Sequence, residues 1–140
     1  MTTVSYLADT SAAARLLISD KFDAQWGPAL GSGLIALCDL TELEILFSAR
    51  SRSDRGAKQE RLHQIFNSAP TPDGIFRRAR EVQELLTGHG EHRSAGPVDL
   101  VVAAVAELSD LTLLHYDADF ETISKHTHQR TRWLTEPGTA

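Results

Sequence analysis

Five acidic residues, Asp9, Glu44, Asp99, Asp117 and Asp119, are scattered along a chain of 140 residues. Four of them stand at positions where a fold makes clefts. Asp9 closes a short apolar run, Val4 to Ala8, and Asp117 closes another, Leu111 to Tyr116. Asp99 is the third residue of an apolar stretch that begins at Pro97, and Glu44 lies in a segment of helical periodicity. Carboxylates brought together repel one another and resist ionisation. A hard divalent cation with a preference for oxygen ligands, Mg²⁺ or Mn²⁺, removes that repulsion. Asp9, Glu44, Asp99 and Asp117 are the candidate set, and Asp119 is a further ligand or a supporting or capping group. Cys38 is the single cysteine and the six histidines form no zinc-type spacing. Each acid also has a plainer reading. Asp9 and Asp117 can cap the helices that follow them, Asp99 suits the first turn of its helix, and Glu44 can be a solvated helix residue.

Short strands and helices alternate along the chain and must place these residues. Val4 to Ala8 reads as a strand and Thr10 to Ile18 as a helix. Lys21 to Leu30 is a second helix that Pro28 would end early, and Leu34 to Leu37 a second strand. From Asp39 to Ser51, Leu40, Leu43, Leu46 and Phe47 recur at helical spacing, so Glu44 is expected to border a buried stripe. A charged helix follows from Asp54 to Asn67, with Ala57, Leu62, Ile65 and Phe66 inward. Pro70-Thr71-Pro72 breaks it, and Asp73 to Leu86 resumes helix on Ile75, Ala79, Val82 and Leu86. Pro97 to Leu108 is apolar nearly all round and should be buried. Leu111 to Tyr116 is a strand, Asp117 to Lys125 a helix and Arg130 to Leu134 a last strand. Such alternation makes an α/β fold: one domain over residues 1–140, with a mainly parallel sheet flanked by helices. Ligands of such sheets bind beyond the carboxyl ends of the strands, where Asp9 and Asp117 fall.

Hydrophobic residues are 41% of the chain and charged residues 24%, enough for one sizeable core. The longest apolar run, Leu100 to Ala106, is too short to cross a bilayer. Met1-Thr2-Thr3-Val4 has neither the basic nor the apolar region of a signal peptide, so a cytoplasmic protein without a membrane partner is expected. The net charge of −5 is unevenly distributed: between Arg50 and Arg80 lie eight basic and three acidic residues, so the remainder carries −10. Arg50, Arg52, Arg55 and Lys58 are the candidate contacts to a polyanion, and pairing with Asp54 and Glu60 is the competing reading. His115 falls within a strand and reads as a core or supporting residue. Trp26 and Trp133 read as core or interface.

At four places the residues are similar to one known family. Val4-Ser5-Tyr6-Leu7-Ala8-Asp9-Thr10-Ser11 resembles the opening strand and Asp-Thr-Ser motif of PIN domains. Thr41-Glu42-Leu43-Glu44-Ile45-Leu46-Phe47-Ser48-Ala49 resembles the segment carrying the family's single Glu. Glu42 and Glu44 are both available by periodicity, and Glu44 fits the family pattern better. Gly96-Pro97-Val98-Asp99-Leu100-Val101-Val102-Ala103-Ala104 is similar to the third acidic motif. Leu113-Leu114-His115-Tyr116-Asp117-Ala118-Asp119-Phe120 is similar to the fourth. Order and spacing agree over nearly the whole chain, and the VapC toxins of actinobacteria are the group it resembles most.

The resemblance implies a Rossmann-like α/β/α sandwich and a Mg²⁺- or Mn²⁺-dependent endoribonuclease, with Asp9, Glu44, Asp99 and Asp117 as its acidic quartet, Asp119 as a fifth acid and Ser11 as a hydroxyl that orients a ligand or phosphate. Asp9, Asp99, Asp117 and Asp119 would ligate the cation, and Glu44 would ligate it or orient and deprotonate a water. The resemblance further implies an RNA substrate, structured RNA such as tRNA, cut so as to inhibit translation. A VapB-type antitoxin would silence it, and a homodimer would be its working form. Two other readings keep the fold and change the role: a catalytically silent PIN-fold binding module, and a housekeeping RNA-processing nuclease. A dehalogenase-type phosphatase would need an Asp where Ser11 stands.

Overall fold

The computed structural model describes residues 3–140; Met1 and Thr2, the start of the domain expected over 1–140, lie outside the described residues. Five strands form one sheet: β1 (Tyr6–Ala8), β2 (Ile35–Leu37), β3 (Asn67–Ser68), β4 (Thr112–His115) and β5 (Thr131–Trp133). Their order is β3-β2-β1-β4-β5 and every pairing is parallel. Among the described residues, seven α-helices cover the sheet: α1 (Thr10–Ile18), α2 (Asp23–Gly31), α3 (Asp39–Phe47), α4 (Arg52–Ile65), α5 (Ile75–Gly88), α6 (Pro97–Leu108) and α7 (Asp119–Thr127).

Parallel strands are buried on both faces, and here alternate residues feed two cores. Leu7, Ala36 and Leu113 face a cluster with Ala79, Val82 and Leu86 of α5, the apolar residues of α6, and Phe120 and Ile123 of α7. Ala8, Ile35, Leu37 and Leu114 face a second cluster with Ala12, Ala13 and Leu16 of α1, Trp26 of α2, Ile45 and Leu46 of α3, and Leu62 of α4. The result is the expected α/β/α sandwich. Among the described residues, no helix is long and apolar enough to cross a membrane.

The sheet reverses its order of winding beside β1. From β1 the chain moves outward to β2 and β3, then returns to place β4 on the other side of β1. Such a switch point opens a crevice at the carboxyl ends of the two central strands. Ala8 pairs with Leu114, and the Asp9 N–H continues the ladder to the Leu114 carbonyl at 3.0 Å. Asp9 and the residues after β4 therefore emerge side by side.

The structure corrects several expected elements. β3 consists of two exposed polar residues at the sheet edge and has no apolar period to announce it; the helix expected to reach Asn67 ends at Ile65. Ala57, expected inward on that helix, is exposed. The segment read as helix from Lys21 opens with a 3-10 turn at Asp20–Phe22, and Pro28 lies inside α2 instead of ending it. α3 stops at Phe47, short of Ser51, and its inner face is Thr41, Ile45 and Leu46. Leu43 is 61% exposed and Phe47 92%, so the buried stripe that Glu44 borders runs through Thr41 and Ile45 instead of through them. α7 begins at Asp119, two residues later than expected. By contrast α1 and α6 have the bounds read from sequence, and the buried face of α5 is Ile75, Ala79, Val82 and Leu86 as expected.

Candidate metal centre

Asp9 follows β1 directly and is the N-cap of α1, so its plainer reading is correct as far as it goes: a carboxylate oxygen accepts the Ala12 N–H at 3.1 Å. The same carboxylate lies 2.7 and 2.9 Å from the Ser11 hydroxyl. Ser11 Oγ in turn accepts the Tyr116 N–H at 2.8 Å. One hydroxyl thus ties the end of β1 to the segment leaving β4. Burial raises the Asp9 pKa, against the opposing pull of the Ser11 and Ala12 bonds.

Asp99 arrives from the other core. Pro97 occupies the first position of α6, where its missing N–H costs nothing, and Asp99 stands two residues further into the first turn. Its carboxyl is pushed up to about 6, first by burial and then by the charges of Asp117, Asp9 and Asp119. Asp117 follows β4, and its Oδ1 accepts the Asp119 N–H at 3.0 Å. The Asp119 pKa is raised by burial and by Asp117. One carboxylate oxygen from each of Asp99, Asp117 and Asp119 lies within 4.8 Å of the other two. Among the described residues this is the one group of three such ligands. The three donors are all carboxylate oxygens, a set suited to a hard divalent cation.

The remaining expected residues fall around this group. Asp9 is not part of the triple; Ser11 and Ala12 orient its carboxylate. It is nonetheless close enough for its charge to act on Asp99. Glu44 is exposed on α3 and accepts a hydrogen bond from Thr10 Oγ1 at 2.7 Å, which places it over the turn that carries Asp9. Glu42 instead meets His63 Nε2 at 3.0 Å, towards α4. Of the two glutamates left open by the sequence, Glu44 is the one directed at the acidic edge.

Arg50, Arg52 and Arg55 are exposed. α4 leads into the amino end of β3, which turns its first residues towards the carboxyl side of the sheet. Arg55 lines a surface cavity of about 330 Å³ together with Asp39, the residue that opens α3 above β2. Lys58 pairs with Asp54 at 3.1 Å one turn earlier and is less exposed than the three arginines. The Arg50 N–H and Lys58 hold the Asp54 carboxyl below its usual range.

Arg15 was not singled out by sequence. Its guanidinium lies over the Tyr116 ring at 4.4 Å and donates to the Ser11 carbonyl at 2.8 Å, beside the acidic edge. Its spacing of four from Ser11 was the available signal. Trp26 is buried with its Nε1–H donated to the Leu134 carbonyl at 2.8 Å, and Trp133 packs on His115 and Tyr116. Neither is placed to stack on a free base. His89 and His126 stack at 4.1 Å, with His126 directed at Glu91.

The chain matches the PIN domain model over residues 6–126. It is 41% identical over 138 residues to Ribonuclease VapC21 of Mycobacterium tuberculosis strain H37Rv, covering 99% of each chain. To Ribonuclease VapC18 of the same strain it is 38% identical over 139 residues, 96% of this chain and 98% of the relative. Two solved structures share its fold. VapBC2 of Rickettsia felis, bound to a DNA fragment from its promoter, superposes with a TM-score of 0.77 at 12% identity, covering 93% of this chain and 98% of the other. VapBC-1 of nontypeable Haemophilus influenzae superposes with a TM-score of 0.76 at 18% identity, covering 95% and 100%.

Proposed function

As the chain belongs to the PIN-domain family, and within it to the VapC group, we propose that it is a cytoplasmic endoribonuclease toxin dependent on Mg²⁺ or Mn²⁺. The observation that carries this reading is the convergence of Asp99, Asp117 and Asp119 oxygens within 4.8 Å at the switch point of the sheet. Its relatives from Mycobacterium tuberculosis, ribonucleases matched over 99% and 96% of this chain, support it.

Asp99, Asp117 and Asp119 would hold the cation. When bound, a divalent cation lowers the pKa of a coordinated water and offsets charge on a phosphate under attack. The cluster's own repulsion favours that ligand: with Asp99 at about 6, a cation relieves the crowded charge at neutral pH and displaces a proton below it. Asp9, held in place by Ser11 and Ala12, adds negative charge to the cluster and would contribute a carboxylate oxygen to the cation directly or through a water. Glu44, exposed and held by Thr10 next to Asp9, would ligate the cation or orient and deprotonate a water. Arg50, Arg52 and Arg55 would grip the RNA backbone without reading sequence.

Structured RNA such as tRNA is the proposed substrate, and inhibition of translation the outcome. A VapB-type antitoxin is the proposed silencer; the fold neighbours solved as VapBC complexes support that partner. An antitoxin Arg or Lys entering the acidic edge would cancel the same charge as the cation does. A homodimer is the proposed working form.

Cleavage of total cellular RNA by purified protein tests this, with Mg²⁺ or Mn²⁺ against EDTA and with Asp99→Asn and Asp117→Asn beside it. Discrete cuts that need metal and vanish in both variants are expected, and mapping them names the target. Uncut RNA with folded, antitoxin-free protein would favour a silent binding module.

A further inference from the structure

His115 is the last residue of β4 and is completely buried. The two residues before it, Leu113 and Leu114, are aliphatic and equally buried, so packing alone does not call for an imidazole at this position. A buried imidazole is costly unless both nitrogens find partners. Both do. Nδ1 lies 3.1 Å from the Asp117 backbone nitrogen, and Nε2 lies 2.7 Å from Glu121 Oε1.

These partners fix the tautomer. A backbone N–H only donates, so Nδ1 must be the bare nitrogen and accept. Nε2 therefore carries the proton and donates it to the Glu121 carboxylate. The same Glu121 oxygen accepts the Thr131 hydroxyl at 2.9 Å, which anchors it to β5. Trp133 and Phe120 close on the ring from either side, at 4.8 and 5.4 Å between centroids.

We propose that His115 and Glu121 are a positioning pair for the carboxylate cluster: through Nδ1 they hold the Asp117 peptide in the orientation that sends its side chain towards Asp99 and Asp119. This rests on the reading of those three residues as cation ligands. The path is continuous, from Thr131 to Glu121, to His115, to the Asp117 peptide, and through Asp117 Oδ1 to the Asp119 N–H at 3.0 Å. It answers a physical need. Three carboxylates that repel one another will splay unless the backbone beneath them is fixed, and a ligand displaced by an ångström binds poorly. The strands supply only part of this, because β4 ends at His115 and α7 does not begin until Asp119. Asp117 lies in the gap.

Mn²⁺ titration calorimetry tests the pair on the folded full chain, with melting temperature in EDTA measured alongside. His115→Phe removes the acceptor for the Asp117 N–H. His115→Asn restores it, since the Asn Oδ1 sits near the position of Nδ1. Glu121→Ala removes the far partner at a half-exposed site, where water can enter beside Nε2. Loss of such supporting bonds weakens metal binding by roughly ten- to a hundredfold. His115→Phe is expected to show that loss, His115→Asn to regain most of it, and Glu121→Ala to fall between. In ¹⁵N spectra of the unaltered protein, Nδ1 is expected bare and Nε2 protonated. The opposite tautomer would overturn the proposal. So would variants that melt at lower temperature yet bind Mn²⁺ as tightly as the unaltered chain, or a Glu121→Ala protein with undiminished affinity should His115→Phe fail to fold. If those variants bind normally while Asp117→Asn does not, the positioning role falls and the metal centre stands. If the unaltered chain binds no Mn²⁺, both fall.

Discussion

Replacing Asp99 by Asn should make the metal-free protein more stable while destroying its function. Burial and the charges of Asp117, Asp9 and Asp119 move the Asp99 carboxyl from its ordinary 3.8 to about 6. A carboxyl whose folded pKa is raised favours the folded state when protonated, so stability is lost as pH rises from about 4 to 6 and the penalty persists above. The full shift corresponds to about 3 kcal/mol. Asp99 is only half-buried, and solvent screening reduces this to about 1–2 kcal/mol. For a chain of this length that is a rise in Tm of roughly 3–8 °C. Asn removes the charge in nearly the same shape, so Asp99→Asn should melt higher than the parent at pH 7 in EDTA and no higher at pH 4. Saturating Mn²⁺ should reverse the order, because the parent gains RT ln(1 + [L]/Kd) from a ligand that the variant holds weakly. Differential scanning calorimetry across pH, with and without Mn²⁺, reads all of this. An Asn variant that is equally or less stable at pH 7 without metal, or a gain that does not change with pH, would refute the reasoning.

Other perturbations separate the parts of the structure. Ser11→Ala leaves the Asp9 carboxylate and the Tyr116 N–H without their shared partner and should cost about 1–3 kcal/mol in urea unfolding. Ile45→Ala should cost about 2–5 kcal/mol as a buried truncation, whereas Phe47→Ser should change the stability of the isolated chain by less than about 0.5 kcal/mol, because Phe47 is 92% exposed. Reversing Arg52 and Arg55 to Glu should flatten the salt dependence of RNA affinity by at least about 1.4 in the log–log slope. Lys58→Ala should leave that slope unchanged, since Lys58 pairs with Asp54; a fall equal to that of an arginine would place it on the RNA.

The elements that position the site were legible where burial imposes a strong period. α6 is apolar on every side and α5 repeats every three or four residues, and both have the buried faces that pattern implies. β3 was illegible because two exposed polar residues at an edge are held by backbone pairing alone. The face of α3 was misread for a related reason. Leu43 and Phe47 belong to the apolar period but lie on the exposed side, and an unpartnered apolar face has the same period as a buried one. The acids were legible as a set, since strand ends and a helix start carry them to one edge. Their division of labour was not. That Asp9 is held by Ser11 and Ala12, that Glu44 meets Thr10 and that Lys58 meets Asp54 are side-chain choices between neighbours a turn or an element apart. The His115–Glu121 pair could be seen only once Asp117 was placed two residues beyond a buried strand end.

The most direct test of the metal centre is a crystal of the protein soaked in Mn²⁺, with anomalous differences recorded at the manganese edge. The expected result is a peak ligated by Asp99, Asp117 and Asp119, absent in Asp117→Asn. A peak elsewhere, such as beside Glu91 and His126, with none at the three aspartates would contradict the assignment.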